Sequence, residues 1–276
     1  MLAVVNEKRG DTKNALKLNK DALESDPKLI KAGLGAGRIL MQLKLYDEAE
    51  RVLRDVLRYN PQSTEVEILL SKLMQRQGKP EEAINNLDQL LIRNPDSWAA
   101  SFLQAQMYLR KNQYGKAIEA ANASLKLKSD NSRALLCLGK ALIGDQQYTR
   151  AISVLKDALA AKSGYWQAKI HLAKAYLCND QIDEARTLLN TLAKGNMGLG
   201  VVHFMLADIF IAQGHYQHAL ADYAAGILHA EKLVGKHPEL KEMLDKSIDP
   251  EEKARMLQAI VNKIRQDSEG TEDDLA

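Results

Sequence analysis

Six histidines and two cysteines are the side chains of this 276-residue sequence best suited to metal binding or nucleophilic chemistry. His215 and His218 stand three apart at the expected start of a helix, and His203 and His229 fall in the same stretch. Imidazoles at i and i+3 share one helix face. A zinc site needs four ligands, however, and nothing in the sequence forces a cysteine or carboxylate beside them, so a polar turn with surface histidines is the simpler reading. Cys137 and Cys178 have neither metal-ligand nor disulfide-framework spacing. They read as ordinary small residues on helices, and a reducing compartment is the default. There is no glycine-rich phosphate loop and no His-Glu-x-x-His pair. The chain therefore reads as a non-enzyme with no cofactor and no metal.

What remains is charge. The net charge is +2, too balanced for a generic nucleic-acid binder. The last ten residues hold five acids (Asp267, Glu269, Glu272, Asp273, Asp274) and no base, so residues 1–266 carry +7. The most apolar stretch, 201–212, contains Asp208 and is too short to cross a bilayer. No secretory signal opens the chain. These features lead to the expectation of a cytoplasmic protein with no membrane partner.

The positioning elements show themselves as a period. Alanine recurs at Ala15, Ala49, Ala83, Ala117, Ala151, Ala185 and Ala219, every 34 residues. A second column in the same phase is small throughout: Ala3, Gly37, Ser71, Ala105, Gly139, Ala173 and Ala207. A third runs Leu23, Leu57, Leu91, Leu125, Leu159, Ala193 and Ile227. Pro27, Pro61 and Pro95 keep register, as do Tyr46, Tyr114, Tyr148 and Tyr216. Within one period, residues 166–177 are apolar at Ile170, Leu172, Ala173 and Tyr176, which is helical spacing. Asn179-Asp180 interrupts it, and a second helix is predicted over about 183–193. Small residues at Ala173 and Ala185 let the two axes approach closely. Each period is thus a helical hairpin. The Tyr and Trp residues at the repeat columns read as core, not as a base-stacking platform.

Gly37, Tyr46, Ala49 and Pro61 in one period, and Gly139, Tyr148, Ala151 and Ala158 in another, resemble the tetratricopeptide repeat family, which has small, aromatic, Ala, small and Pro residues at repeat positions 8, 17, 20, 27 and 32. Departures include Ser129, Ser163, Met197 and Glu231 in place of the proline, Pro80 in place of the aromatic, and Leu90 and Leu192 at position 27. The resemblance implies an all-α, right-handed α-solenoid of about seven units over residues 1–230. The first unit is truncated, because Met1 falls at repeat position 6, and upstream sequence is expected to be missing. Residues 231–266 form a C-terminal extension. Asp249, Pro250 and Glu252 there announce a capping helix with an apolar stripe at Leu257, Ile260, Val261 and Ile264. The acidic tail, 267–276, is expected to be disordered.

The resemblance also implies a concave groove lined by the leading helix of each unit at repeat positions 2, 5, 9, 12 and 13. Position 5 is apolar: Leu34, Ile68, Phe102, Leu136, Ile170 and Phe204. Around it stand Lys31, Arg38, Lys72, Arg76, Arg110, Arg133, Lys140 and Lys174, with Lys8, against the acids Glu7, Glu65 and Asp208, for about +6. An apolar floor edged with bases suits a protein segment with apolar anchors and acidic flanks. The family's carboxylate clamp for chaperone tails needs Lys at position 5 and Asn at position 9, and neither occurs here. The expected function is a protein-interaction scaffold. Two alternatives are a self-assembling homo-oligomer and the regulatory domain of a larger enzyme or signalling protein.

Overall fold

A computed structural model describes residues 11–195, 199–229 and 237–267. All fifteen regular elements among them are α-helices. Contacts divide the chain into two compact units, Met1–Ser129 and Asp130–Ala276. The first holds α1 (Thr12–Ser25), α2 (Ile30–Gln42), α3 (Tyr46–Tyr59), α4 (Thr64–Arg76), α5 (Pro80–Arg93), α6 (Trp98–Arg110) and α7 (Tyr114–Leu127). The second holds α8 (Ser132–Gly144), α9 (Tyr148–Ala161), α10 (Trp166–Cys178), α11 (Ile182–Lys194), α12 (Leu199–Ala212), α13 (Tyr216–His229), α14 (Glu239–Asp245) and α15 (Pro250–Asp267). The predicted hairpins are present. Consecutive helices pair as leading and second members, as in α4 with α5 and α8 with α9. Residues 1–10, including Glu7 and Lys8, most of the tail, and part of the extension after α13 lie outside the described residues.

Local chemistry sets each hairpin. The six described backbones with φ between +54° and +77° are Lys44, Gly78, Asn112, Gln146, Asp180 and Gly214, all at repeat position 15. Each ends a leading helix in the left-handed region. The next amide then donates back to the carbonyl five residues earlier, as Leu45 does to Leu40 and Lys79 to Met74. This is the Schellman closure, which satisfies carbonyls the helix leaves open. Gly takes the conformation freely, whereas Lys44 and Gln146 bear the left-handed cost of about 1–2 kcal/mol. Some helix starts carry a side-chain cap. Asn131 Oδ1 takes the amides of Arg133 and Ala134, and Asp249 Oδ2 those of Glu251 and Glu252.

The small columns are the close-packing points. All seven alanines of the first column are fully buried. A Cβ on Gly37 would lie 2.8 Å from Leu53 Cδ2, and one on Gly139 2.6 Å from Leu155 Cδ2, so the axes approach to where only hydrogen fits. One buried charge departs from the apolar pattern. Glu67 is 4% exposed, and Arg93 binds its carboxylate in a fork at 2.9 and 3.0 Å. Arg93→Ala would remove both of these bonds and leave the carboxylate buried. The expected loss is about 1–3 kcal/mol, read as a lower urea midpoint.

The expected terminal cap is also present. α15 packs Ala254, Leu257, Val261 and Ile264 into one cluster with Phe204, Tyr223 and Ile227 of the last repeat. An open repeat end needs such a cover. Trp98, outside the tyrosine column, is 38% exposed, with Lys128 Nζ 4.7 Å from its ring centroid.

Candidate functional site

The leading helices α2, α4 and α6 of the first unit lie in sequence beside one another, as do α8 and α10 of the second. Positions 2, 5, 9 and 13 of each helix fall on one side by the 3.6-residue period. In the first unit Lys31, Arg38, Lys72, Arg76 and Arg110 are exposed, while Ile68 and Phe102 are half-buried. Arg76 is partly engaged, since its Nη1 donates to the carbonyl of Met41 on α2 at 3.3 Å. In the second unit Arg133 and Lys174 are exposed, and Leu136, Lys140 and Ile170 half-buried.

Two expected face residues are core instead. Leu34 is 5% exposed and Phe204 fully buried. Around Leu34, glycines at 33, 35 and 37 let Val56, Asn19 and Leu53 close in on α2, and Leu34 joins the apolar cluster running on to α4. Phe204 turns inward because Gly226 leaves a slot for its ring. A Cβ there would sit 2.6 Å from Phe204 Cε1. Asp208, the acid at position 9, accepts from the Tyr223 hydroxyl at 3.0 Å and from Gln258 Nε2 of α15 at 3.3 Å. It serves the cap.

In the second unit, position 6 carries chemistry that charge counting had missed. His171 on α10 has its pKa pushed down to about 3, first by burial and then by Lys140 and Lys174. Both lysines therefore lie near one neutral imidazole. Cys137, at the same repeat position on α8, is buried and its thiol is pushed up to about 12, which leaves it inert. Cys178 is exposed. Burial raises the Tyr165 hydroxyl, and Arg133 opposes that. The signal available beforehand was a single polar residue, His171, in a column otherwise filled by Gly35, Leu69, Leu103, Cys137 and Met205.

The His171 shift has a consequence for stability. Its folded pKa lies below the ordinary 6.5. Its contribution is therefore complete above about pH 6.5, and is lost as pH falls toward about 3 because only the unfolded chain takes the proton. The urea midpoint should drop more between pH 7 and pH 5 in the parent than in His171→Leu. An equal drop in both would refute this assignment.

Four of the other five histidines form ring contacts, and His237 Nδ1 lies 3.2 Å from Glu239 Oε1. His203 Nδ1 lies 2.6 Å from Asp222 Oδ1, with the His229 ring stacked at 6.1 Å. His215 and His218 are edge to face at 6.0 Å. Among the described residues no group of three or more His, Cys, Asp or Glu gathers around a common metal position. No described helix is long and apolar enough to cross a membrane.

Sequence models described as "Tetratricopeptide repeat" match residues 8–73, 68–132 and 142–198. No protein of curated function matches the sequence. Among solved structures, a tetratricopeptide repeat protein from Parabacteroides merdae aligns over 92% of this chain and 96% of its own, with TM-score 0.65 at 16% identity. PilW, described as a widely conserved type IV pilus biogenesis factor, aligns over 70% of this chain and 90% of its own, with TM-score 0.63 at 22% identity. The APC/C Cut9–Hcn1 structure covers 94% of this chain and 47% of its own, with TM-score 0.69 at 15% identity. These likenesses establish a shared fold. Together with the 34-residue hairpins, their left-handed turn at position 15 and the buried alanine column, they make this chain a member of the tetratricopeptide repeat family.

Proposed function

We propose that the leading-helix faces bind a segment of another protein that carries apolar anchors and acidic flanks, with no chemical step. One observation carries this reading. Ile68, Leu136 and Ile170 are half-exposed, each at position 5, and each has a lysine four residues on, at Lys72, Lys140 and Lys174. Phe102 is likewise half-exposed, with Arg110 farther along its helix. Half-covered apolar side chains gain most from a partner that removes them from water, at about 25 cal/mol per Å². The flanking cations then choose among partners and speed encounter more than they add affinity.

Selection of peptides from a random displayed library against the full chain tests the proposal. Enriched sequences should combine a Leu, Ile or Phe with neighbouring Asp or Glu. Enrichment without acidic residues, or none at all, would refute it.

A further inference from the structure

The leading helices of the second unit carry a group that those of the first lack. Repeat position 6 is Leu69 on α4 and Leu103 on α6, both buried, whereas on α10 it is the half-buried His171. An imidazole costs more to enclose than a leucine, because its polar nitrogens must give up water. Position 9 lies three residues on, over the same face. It is Lys174 on α10 and Lys140 on α8. The α8 and α10 helices are in contact. Lys140, on the neighbouring helix, opposes protonation of His171 more than Lys174 does on its own helix. The imidazole thus stands at the seam between α8 and α10, with an ammonium group supplied from each side.

The charge along this seam has one sign. α8 and α10 carry Arg133, Lys140, Lys169 and Lys174 and no acidic residue. In the first unit, by contrast, α4 sets Glu65 and Glu67 among its bases. Leu136 and Ile170 are half-buried on the same two helices. A neutral imidazole offers one N–H and one acceptor nitrogen. An ammonium group beside it can satisfy the acceptor, which leaves the ring N–H as a donor that adds no charge. Two cationic donors and one neutral donor are then available together. A carboxylate would bring them one negative charge and two oxygens. A phosphate monoester brings nearly two charges at neutral pH and three acceptor oxygens, one for each donor.

We infer that the α8–α10 seam reads a phosphorylated residue in the partner segment, with Lys140, Lys174 and the His171 N–H on the phosphate and Leu136 and Ile170 against its apolar neighbours. This rests on the function proposed above and narrows it. Phosphorylation of the partner would strengthen its hold on the second unit, whereas α4 and α6 of the first unit present no such donor at position 6.

Three fluorescent peptide pools test this on the full chain. They share degenerate flanks that include leucine and differ only in a fixed central phosphoserine, glutamate or serine. Affinities are measured by anisotropy above the second phosphate pKa of about 6. The phosphoserine pool should bind about 10-fold more tightly than the glutamate pool, the gain from added charge and an added charge-assisted hydrogen bond. Lys140→Glu/Lys174→Glu should abolish that ratio. Arg150→Glu/Lys156→Glu, which makes the same charge change on the second helix α9, should preserve it. His171→Leu should cut the ratio to about 2- to 3-fold and leave the glutamate pool unchanged, and His171→Gln, which keeps a neutral N–H donor, should restore most of it. A merely structural role for His171 would move both pools together. Equal affinity for the phosphoserine and glutamate pools would overturn the phosphate reading and leave the acidic-segment reading standing. A ratio that survives the reversal at 140 and 174 would overturn the seam as its site, and one untouched by His171→Leu would remove the imidazole from it. If neither acidic pool bound more tightly than the serine pool, the function proposed above would fail, and this inference with it.

Discussion

Phe204→Ala should destabilise the protein by about 3–5 kcal/mol, whereas Phe102→Ala, at the same repeat position, should cost only about 1–2 kcal/mol. The two phenylalanines are equivalent in sequence register, and their difference comes from position 27 of the paired helix. In the last repeat that residue is Gly226, and the Phe204 ring fills the space a Cβ would occupy. Its ring also lies tilted at 6.2 Å from that of buried Tyr223, under the α14–α15 cap. In the repeat of Phe102 the residue is Ser124, itself fully buried, with its hydroxyl donating to the carbonyl of Trp98 at 2.8 Å. The slot is filled and Phe102 stays half outside. Thermal and urea denaturation of both variants measure the contrast. Gly226→Ala gives an independent reading. Helix propensity alone would stabilise it by about 1 kcal/mol, but overpacking against a rigid ring should cost about 1–3 kcal/mol. A net rise in stability would show that the ring is not seated in that slot. If Phe102→Ala proved as costly as Phe204→Ala, position 5 would be core throughout and the proposed binding face would lose its apolar floor.

The second large effect concerns binding. Lys140→Glu/Lys174→Glu should weaken an acidic-flanked peptide by about 2–4 kcal/mol, roughly 30- to 1000-fold. Each exposed pair is worth at most about 1 kcal/mol, but reversal replaces an attraction with a repulsion of like size, twice over. Fluorescence anisotropy of a labelled peptide reports the affinity, and circular dichroism should show unchanged helicity. Arg150→Glu/Lys156→Glu alters net charge identically and should leave affinity within a few-fold. Equal losses in both variants would mean that only the overall field of the protein attracts the peptide. The loss should also shrink as salt is added, because the charges concerned are largely solvent-facing.

The helical hairpins were readable before any coordinates. A hairpin of two short helices repeats its constraints every 34 residues, and close axes admit only small side chains. The alanine column from Ala15 to Ala219 therefore records packing directly. The Asp249-Pro250 start and the apolar stripe of the last helix were legible for the same reason, since capping and amphipathicity are local and periodic. The left-handed residue at position 15 was not: Lys44, Gly78, Asn112, Gln146, Asp180 and Gly214 share a backbone conformation but no side-chain type. The face itself was only partly legible. Register placed Leu34, Phe102 and Phe204 in one column, but exposure depends on what stands across the hairpin, Ser124 or Gly226, and at Leu34 on the glycines of α2 that let Val56, Asn19 and Leu53 close in. It also depends on whether the next element is a repeat or a cap. The same holds for charge. Lys140 and Lys174 belong to a column, but their shared neighbour His171, and the engagement of Asp208 by Tyr223 and Gln258, come from residues far apart in the chain. Side-chain type and spacing specify which face a residue occupies on its own helix, and only the neighbouring helices decide whether that face is left to a partner.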